Sequence, residues 1–211
     1  MKYEKIQNII FDLGQVIFNI NYNLTLQAFG ELGVPDIENL FTTASNSEFF
    51  GDYERGQISD ADFRNGLREL FDHEVSDDEI DDAWNAMLLN LPEERITLLQ
   101  KVKNNYRIFL LSNTNDLHLV AVESILGVEQ FHKLLQLFEK VYFSNKINMR
   151  KPELRVFDLI LEENDLNVSE TLFIDDLPHF IEGGKKAGLS TIHLVAPTTL
   201  VDLFTDKGFL K

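Results

Sequence analysis

A small set of side chains in this sequence is of the kind that phosphoryl chemistry needs. Asp12 follows the apolar run IIF and precedes Leu13-Gly14; Ser112 and Asn113 follow IFLL; Arg150 and Lys151 precede Pro152; Asp175 and Asp176 follow LFI. Brought into one crevice, they would supply a carboxylate nucleophile, a hydroxyl donor, a cation to gather phosphoryl oxygens, and further carboxylates. Carboxylates at that density repel one another by several kcal/mol at short range, so a hard divalent cation with oxygen ligands is the natural filler. Mg²⁺ is the first choice, held by Asp12, Asp176, Asp175 through water, and a backbone carbonyl near Gly14. Taken singly, each residue has a plainer use: Asp176 could cap the next helix, Ser112 could satisfy a strand end, Asn115-Asp116 could cap its own helix, and Lys151 could be solvated. Their combination and order point to chemistry.

The elements that would position these groups follow from the pattern. Near-continuous apolar runs predict short buried strands at about Asn8–Leu13, Arg107–Leu111, Val141–Phe143, Thr171–Ile174 and Thr191–Val195. Helical patterns fall between them: Glu93–Lys103, Asp116–Leu126, a segment opened by Lys151-Pro152 and running to about Glu163, and one that stops at Gly188. This alternation implies a parallel sheet covered by helices on both faces, with the ligand at the carboxyl ends of the strands. Between the first strand and Leu91 the pattern is helical instead. Leu24, Ala28, Phe29 and Leu32 form one apolar stripe, and Phe63, Leu67, Leu70 and Phe71 another. Ser59 with Asp62 and Ser76 with Glu79 mark helix starts. Trp84, Met87 and Leu88 are read into a final helix, and FFGDYERGQIS, Phe49–Ser59, as an exposed loop. The chain thus divides into an α/β core, 1–19 and 91–211, and an all-helical insertion, 20–90.

Composition narrows the function further. The 211 residues are 44% hydrophobic, enough for one substantial core. A formal net charge of −16, with 19 basic residues and no basic cluster, argues against nucleic-acid binding. The absence of Cys removes thiolate metal sites and a thiol nucleophile. No stretch has the apolar length of a membrane span, and MKYEKIQN lacks a signal-peptide h-region. A cytoplasmic protein, monomeric or weakly dimeric, with a small phosphorylated metabolite as its partner, is expected.

FDLGQV, LLSNTN, KPE and FIDD, in this order and spacing, resemble the four motifs of the haloacid dehalogenase-like hydrolase superfamily, in particular its branch of bacterial sugar-phosphate phosphatases such as alpha-glucose-1-phosphate phosphatase. ERGQISDADF resembles that branch's small cap. The resemblance implies a Rossmann-like core with a helical cap inserted after the first strand. Asp12 would become an aspartyl-phosphate, Ser112 with Asn113 would hold a phosphoryl oxygen, Lys151 would neutralise charge, and Asp175 with Asp176 would hold Mg²⁺. Glu54 and Arg55 of the cap would face the rest of the substrate. Two departures stand out. The family's second Asp, two residues after the nucleophile and acting as acid and base, is Gly14 here; losing such a group costs roughly 10²- to 10⁴-fold in rate, although the DLG form occurs in this branch. Phe180 stands where Asn or Asp is usual, so that His179 or water would have to complete the outer metal shell. Gly14 disfavours a mutase, and Asp175-Asp176 disfavours a metal-free dehalogenase. A phosphatase is the expected activity; the alternative is a phosphate- or metal-binding regulator on the same fold.

Overall fold

The computed structural model describes residues 3–34 and 48–211. The helical pattern read between Tyr22 and Leu91 therefore lies in part, at 35–47, outside the described residues.

The strands β1 (Asn8–Phe11), β4 (Arg107–Ser112), β5 (Lys140–Phe143), β6 (Thr171–Asp175) and β7 (Ser190–His193) form one sheet in the order β5-β4-β1-β6-β7, with every pair parallel. Side chains alternate across it. Ile9, Phe11, Ile108, Leu110, Leu172 and Ile174 enter one apolar core, while Ile10, Phe109, Leu111 and Phe173 enter another on the opposite face. A strand buried on both faces has no polar side to show, which is why these runs are almost uninterruptedly apolar. The first core is covered by helices Glu93–Val102, Asp116–Leu126 and Val128–Leu135, and the second by Leu154–Glu163 and Pro178–Lys186. Val128–Leu135 brings Phe131 and Leu134 into that first core. Because β1 is central and the chain leaves it toward β4 and later returns on its other side as β6, the strand order reverses there. That opens the crevice at the carboxyl ends of β1, β4 and β6.

After β1 the chain enters its insertion through β2 (Asn19–Ile20) and leaves it through β3 (Leu88–Asn90), paired antiparallel. The insertion therefore ends in a ribbon, and Met87 and Leu88 are not helical: helix Asp77–Asn85 stops before them. A helix there would leave Ile20 and Asn19 without their ladder partners. Helices Tyr22–Glu31, Glu48–Glu54, Asp60–Arg68 and Asp77–Asn85 bury Phe29, Tyr53, Phe63, Leu67, Ile80 and Trp84 in a third core. The expectation of an exposed loop at Phe49–Ser59 is corrected by the helix Glu48–Glu54. Tyr53 stacks on Phe63 with ring centroids 3.8 Å apart, and Phe49 lies on the same ring at 5.4 Å. The aromatic residues of this short segment, not its two glycines, decide its conformation, and packing overrides a weak local propensity. Gly66 leaves room for Phe49, whose ring would stand 2.4 Å from any Cβ at that position.

The helix expected to open at Lys151-Pro152 starts only at Leu154, with Glu153 as its N-cap. Asn113 explains the delay: its Oδ1 accepts from the Lys151 amide at 2.9 Å and its Nδ2 donates to the Lys151 carbonyl at 3.0 Å. Both backbone groups of Lys151 are thereby committed to the end of β4 instead of to a helix. Ser59, Ser76 and Asn115 cap their helices as the sequence suggests, Ser76 with Glu79 in a full capping box.

Candidate active site

The register of the sheet levels the functional groups. Phe11 pairs with Leu110 on one side and Ile174 on the other, so Asp12, Ser112 and Asp175 emerge at one rim. The Asp12 amide donates to the Ile174 carbonyl at 3.0 Å, holding that rim together. Lys151 reaches in from the loop after β5 and its helical turn Ser144–Ile147. Its Nζ is 2.6 Å from Asp12 Oδ1 and 2.6 Å from Asp175 Oδ2, and the residue is 0% exposed. A buried ammonium between two carboxylates is held charged: although burial works against it, Asp12 and Asp175 raise Lys151 above the usual lysine range. Burial pushes the Asp12 carboxyl up, against the pull of Lys151 and with help from Asp175. Asp175 uses its other oxygen, Oδ1, to accept from the Leu177 amide at 2.9 Å. Asp176 is therefore not the cap of the following helix, whose N-cap is Leu177. Burial and the neighbouring Asp175 raise Asp176 to about 6.

Asp12, Asp175 and Asp176 each offer an oxygen within 4.8 Å of the others. Such a set of hard oxygen donors fits a divalent cation of the Mg²⁺ kind. The Gly14 carbonyl, the fourth group considered, accepts from the Val16 amide at 2.6 Å. Phe180 packs under the lysine: Lys151 Nζ lies 4.7 Å from its ring centroid, so this position supports the ammonium through a cation–π contact and offers no metal-shell oxygen. His179 is exposed beside it, ring against ring at 4.1 Å.

A cavity of about 360 Å³ opens over this rim. Asp12, Gly14, Ser112, Asn113, Lys151 and Asp176 form its floor, with Asp175 buried below, and Glu54 and Arg150 face one another in its wall. Ser112 is buried and its Oγ lies 3.4 Å from the Asn113 carbonyl, a weak contact that leaves the hydroxyl able to donate elsewhere. Both polar atoms of the Asn113 side chain hold the Lys151 backbone, while the residue itself lines the cavity. Arg55 does not line the cavity. Its guanidinium turns outward to Glu153, with Nη2–Oε1 at 2.7 Å, and ties the inserted segment to the loop that carries Lys151.

Tyr22, Arg150 and His118 also line the cavity. Tyr22 is half exposed, but desolvation of its hydroxyl and the charges of Asp12 and Asp176 push it above the phenol range, so it remains a hydrogen-bond donor. Nothing in the sequence singles out Tyr22, which reads as an ordinary first residue of a helix. His118 stacks on Trp84 at 4.9 Å and its Nδ1 lies 2.8 Å from Asn85 Oδ1; burial lowers its pKa to about 3. The i+3 spacing of His118 from the cap residue Asn115 was its only available signal.

Known proteins resemble this chain over most of its length. Residues 9–194 match the haloacid dehalogenase-like hydrolase family. A D-ribitol-5-phosphate phosphatase of Bacteroides thetaiotaomicron is 30% identical over 186 residues, 88% of this chain and 90% of that protein. A sesquiterpene phosphatase of Aspergillus oryzae is 26% identical, with 88% of each chain covered. Among solved structures, a haloacid dehalogenase-family enzyme of Bacteroides thetaiotaomicron in complex with magnesium and inorganic phosphate superposes with a TM-score of 0.81 at 34% identity, covering 95% of this chain and 100% of that one.

Proposed function

We infer the reaction of this chain from its family: it belongs to the haloacid dehalogenase-like hydrolases, and it is a phosphatase that hydrolyses phosphoric monoesters of small metabolites. The observation that carries this reading is Lys151 bridging Asp12 and Asp175 at the rim where Ser112 and Asp176 converge. We propose that Asp12 attacks phosphorus with a carboxylate oxygen and forms an aspartyl-phosphate. Lys151 fixes that carboxylate in line and offsets charge on the phosphoryl oxygens, and the Ser112 hydroxyl donates to one of them. Asn113 acts by holding Lys151 in place. Asp12, Asp175 and Asp176 would hold Mg²⁺, which supplies charge stabilisation of the phosphoryl group and offsets the mutual repulsion of the acids. Residues 20–90 act as a cap over the core formed by 1–19 and 91–211.

For the organic part of the substrate we propose a sugar or sugar-alcohol phosphate. Support comes from the ribitol-phosphate relative and from the polar groups of the cavity wall, Glu54, Arg150, Tyr22 and His118, which suit hydroxyl recognition. A volume of about 360 Å³ matches a small metabolite and not a folded phosphoprotein. The regulator reading has less support, because two relatives matched over 88% of this chain are named for phosphatase activity.

The test is phosphate release from a panel of sugar and sugar-alcohol phosphates, with Mg²⁺ or with chelator, by the wild type and Asp12→Asn. Release that needs both the metal and Asp12 is expected. Release that persists in Asp12→Asn would overturn the assigned nucleophile, and its complete absence from every ester would return the chain to the regulator reading.

A further inference from the structure

An alkoxide leaves phosphorus slowly unless a proton reaches its oxygen in the transition state. Position 14 cannot supply one. It is glycine, which carries no side chain to hold a proton, and a Cβ there would already stand 3.0 Å from Ile20 Cδ1. The proton must come from another wall of the cavity.

Most titratable groups in that cavity are already engaged or unsuited. Asp12, Lys151 and Asp176 are the nucleophile, its partner and the proposed metal ligand. His118 is kept neutral by burial. Tyr22, with a phenol raised by desolvation and by the charges of Asp12 and Asp176, is a poorer acid than a carboxyl. His179 is exposed at the rim, its ring laid against Phe180. Glu54 remains. It is the last residue of helix Glu48–Glu54, and the residues after it are anchored to the loop that carries Lys151. The Arg55 carbonyl accepts from Asn148 Nδ2 at 2.7 Å, and the Arg55 guanidinium binds Glu153. Gly56 lies so close to the Asn145 carbonyl that a Cβ would be 2.3 Å from it. Glu54 is thus fixed over the strand ends by backbone and side-chain ties on its C-terminal side. Its Oε2 is buried and lies 2.9 Å from Arg150 Nη2, an ion pair in the cavity wall, and Arg150 Nε is buried with no hydrogen-bond partner among the described residues. Glu54 and Arg150 both line the cavity above Asp12, so the carboxyl is presented to an ester bound there. Burial also raises Glu54 above the usual carboxyl range, against the opposing pull of Arg150, Lys151 and Arg55.

We propose that Glu54 is the general acid and base of this enzyme, performing from the inserted segment the task that Gly14 cannot. This role rests on the phosphatase reading above. In the first step Asp12 Oδ forms a bond to phosphorus, the bond from phosphorus to the ester oxygen breaks, and the Glu54 proton passes to that oxygen, releasing the alcohol. Arg150 then faces the Glu54 carboxylate so formed. In the second step water attacks phosphorus and gives a proton to Glu54, and the bond from phosphorus to Asp12 breaks. Phosphate leaves, and both carboxyl groups return to their starting states.

The experiment compares two esters: a sugar-alcohol phosphate, whose alkoxide needs a proton, and p-nitrophenyl phosphate, whose leaving group does not. With Mg²⁺ present, Glu54→Gln is expected to lose about 10²- to 10⁴-fold in kcat on the first ester and less than about tenfold on the second. Glu54→Ala, with its folding checked by circular dichroism, should regain part of its activity on the first ester when formate is added. Equal losses on both esters would assign Glu54 to positioning or folding, and no loss on either would exclude it; both overturn the proposal. If the wild type releases phosphate from neither ester, or Asp12→Asn is as active as the wild type, the phosphatase reading itself fails and this inference falls with it.

Discussion

Replacing Lys151 by Met keeps most of the side-chain volume and removes the ammonium that lies 2.6 Å from both Asp12 and Asp175. Asp175 is 0% exposed and Asp12 only 7%, so neither carboxylate can recover the lost contact from water. Breaking a buried ion pair from one side costs about 3–5 kcal/mol, because the remaining charge stays buried without a partner. The upper end applies where both acids are ionised. At a size of 211 residues, about 2–4 °C of melting temperature per kcal/mol converts this to a fall of roughly 6–20 °C. Part of the cost is relieved when Asp12 takes up a proton, which burial already favours. The loss should therefore be greater at pH 8 than at pH 5. Urea unfolding followed by circular dichroism, in chelator, measures it directly. The double variant Lys151→Met/Asp12→Asn should be more stable than the sum of its parts by about 1–3 kcal/mol, since one of the stranded charges is gone. A Lys151→Met protein as stable as the wild type at pH 8, or strictly additive single changes, would refute the view that this lysine compensates buried acid.

His118 should make stability depend on pH. Its folded pKa, about 3, lies below the ordinary 6.5, so between these values the unfolded chain binds a proton that the folded one does not. The associated stability is present above about pH 6.5 and is lost as pH falls toward 3. After discounting for the partly exposed ring, His118→Phe, which preserves the stack on Trp84, should lose about 1–2 kcal/mol less than the wild type between pH 7 and 4.5. Identical urea midpoint shifts in the two proteins would exclude this role. Arg55→Ala cuts the link to Glu153 without touching the cavity. It should change stability by less than about 1 kcal/mol, both groups being partly exposed, yet lower kcat/KM on a sugar-alcohol phosphate by misplacing Glu54. Glu153→Ala should do the same and the double variant no worse; additive losses would instead mean independent roles.

The sheet was legible because a strand covered on both faces must be apolar at every position: Asn8–Phe11 and Thr171–Asp175 announce themselves without any partner in view. The same runs expose their own ends, since an acid or hydroxyl is tolerated only where the strand reaches the rim. That is how Asp12, Ser112 and Asp175 could be read as neighbours from a linear text. The capping residues Ser59, Ser76 and Asn115 were legible for a similar reason, their partners being three residues away.

Contacts whose partners are distant in the chain were beyond the reach of the sequence. Glu48–Glu54 reads as a loop until Phe63 appears beside Tyr53 and Phe49. Leu88 reads as helix until Asn19–Ile20 offers it a ladder. The hold of the Asn113 side chain on the Lys151 backbone is invisible in the sequence, and Arg55 reads as a substrate contact until Glu153 appears beside it. Sequence alone determined which chemistry the strand ends present, because burial and periodicity are local constraints written residue by residue. Tertiary structure alone decided which of those groups remain free to act, because a hydrogen-bonding atom can be claimed by a partner a hundred residues away, and only the folded chain shows that Glu54 is left facing the cavity.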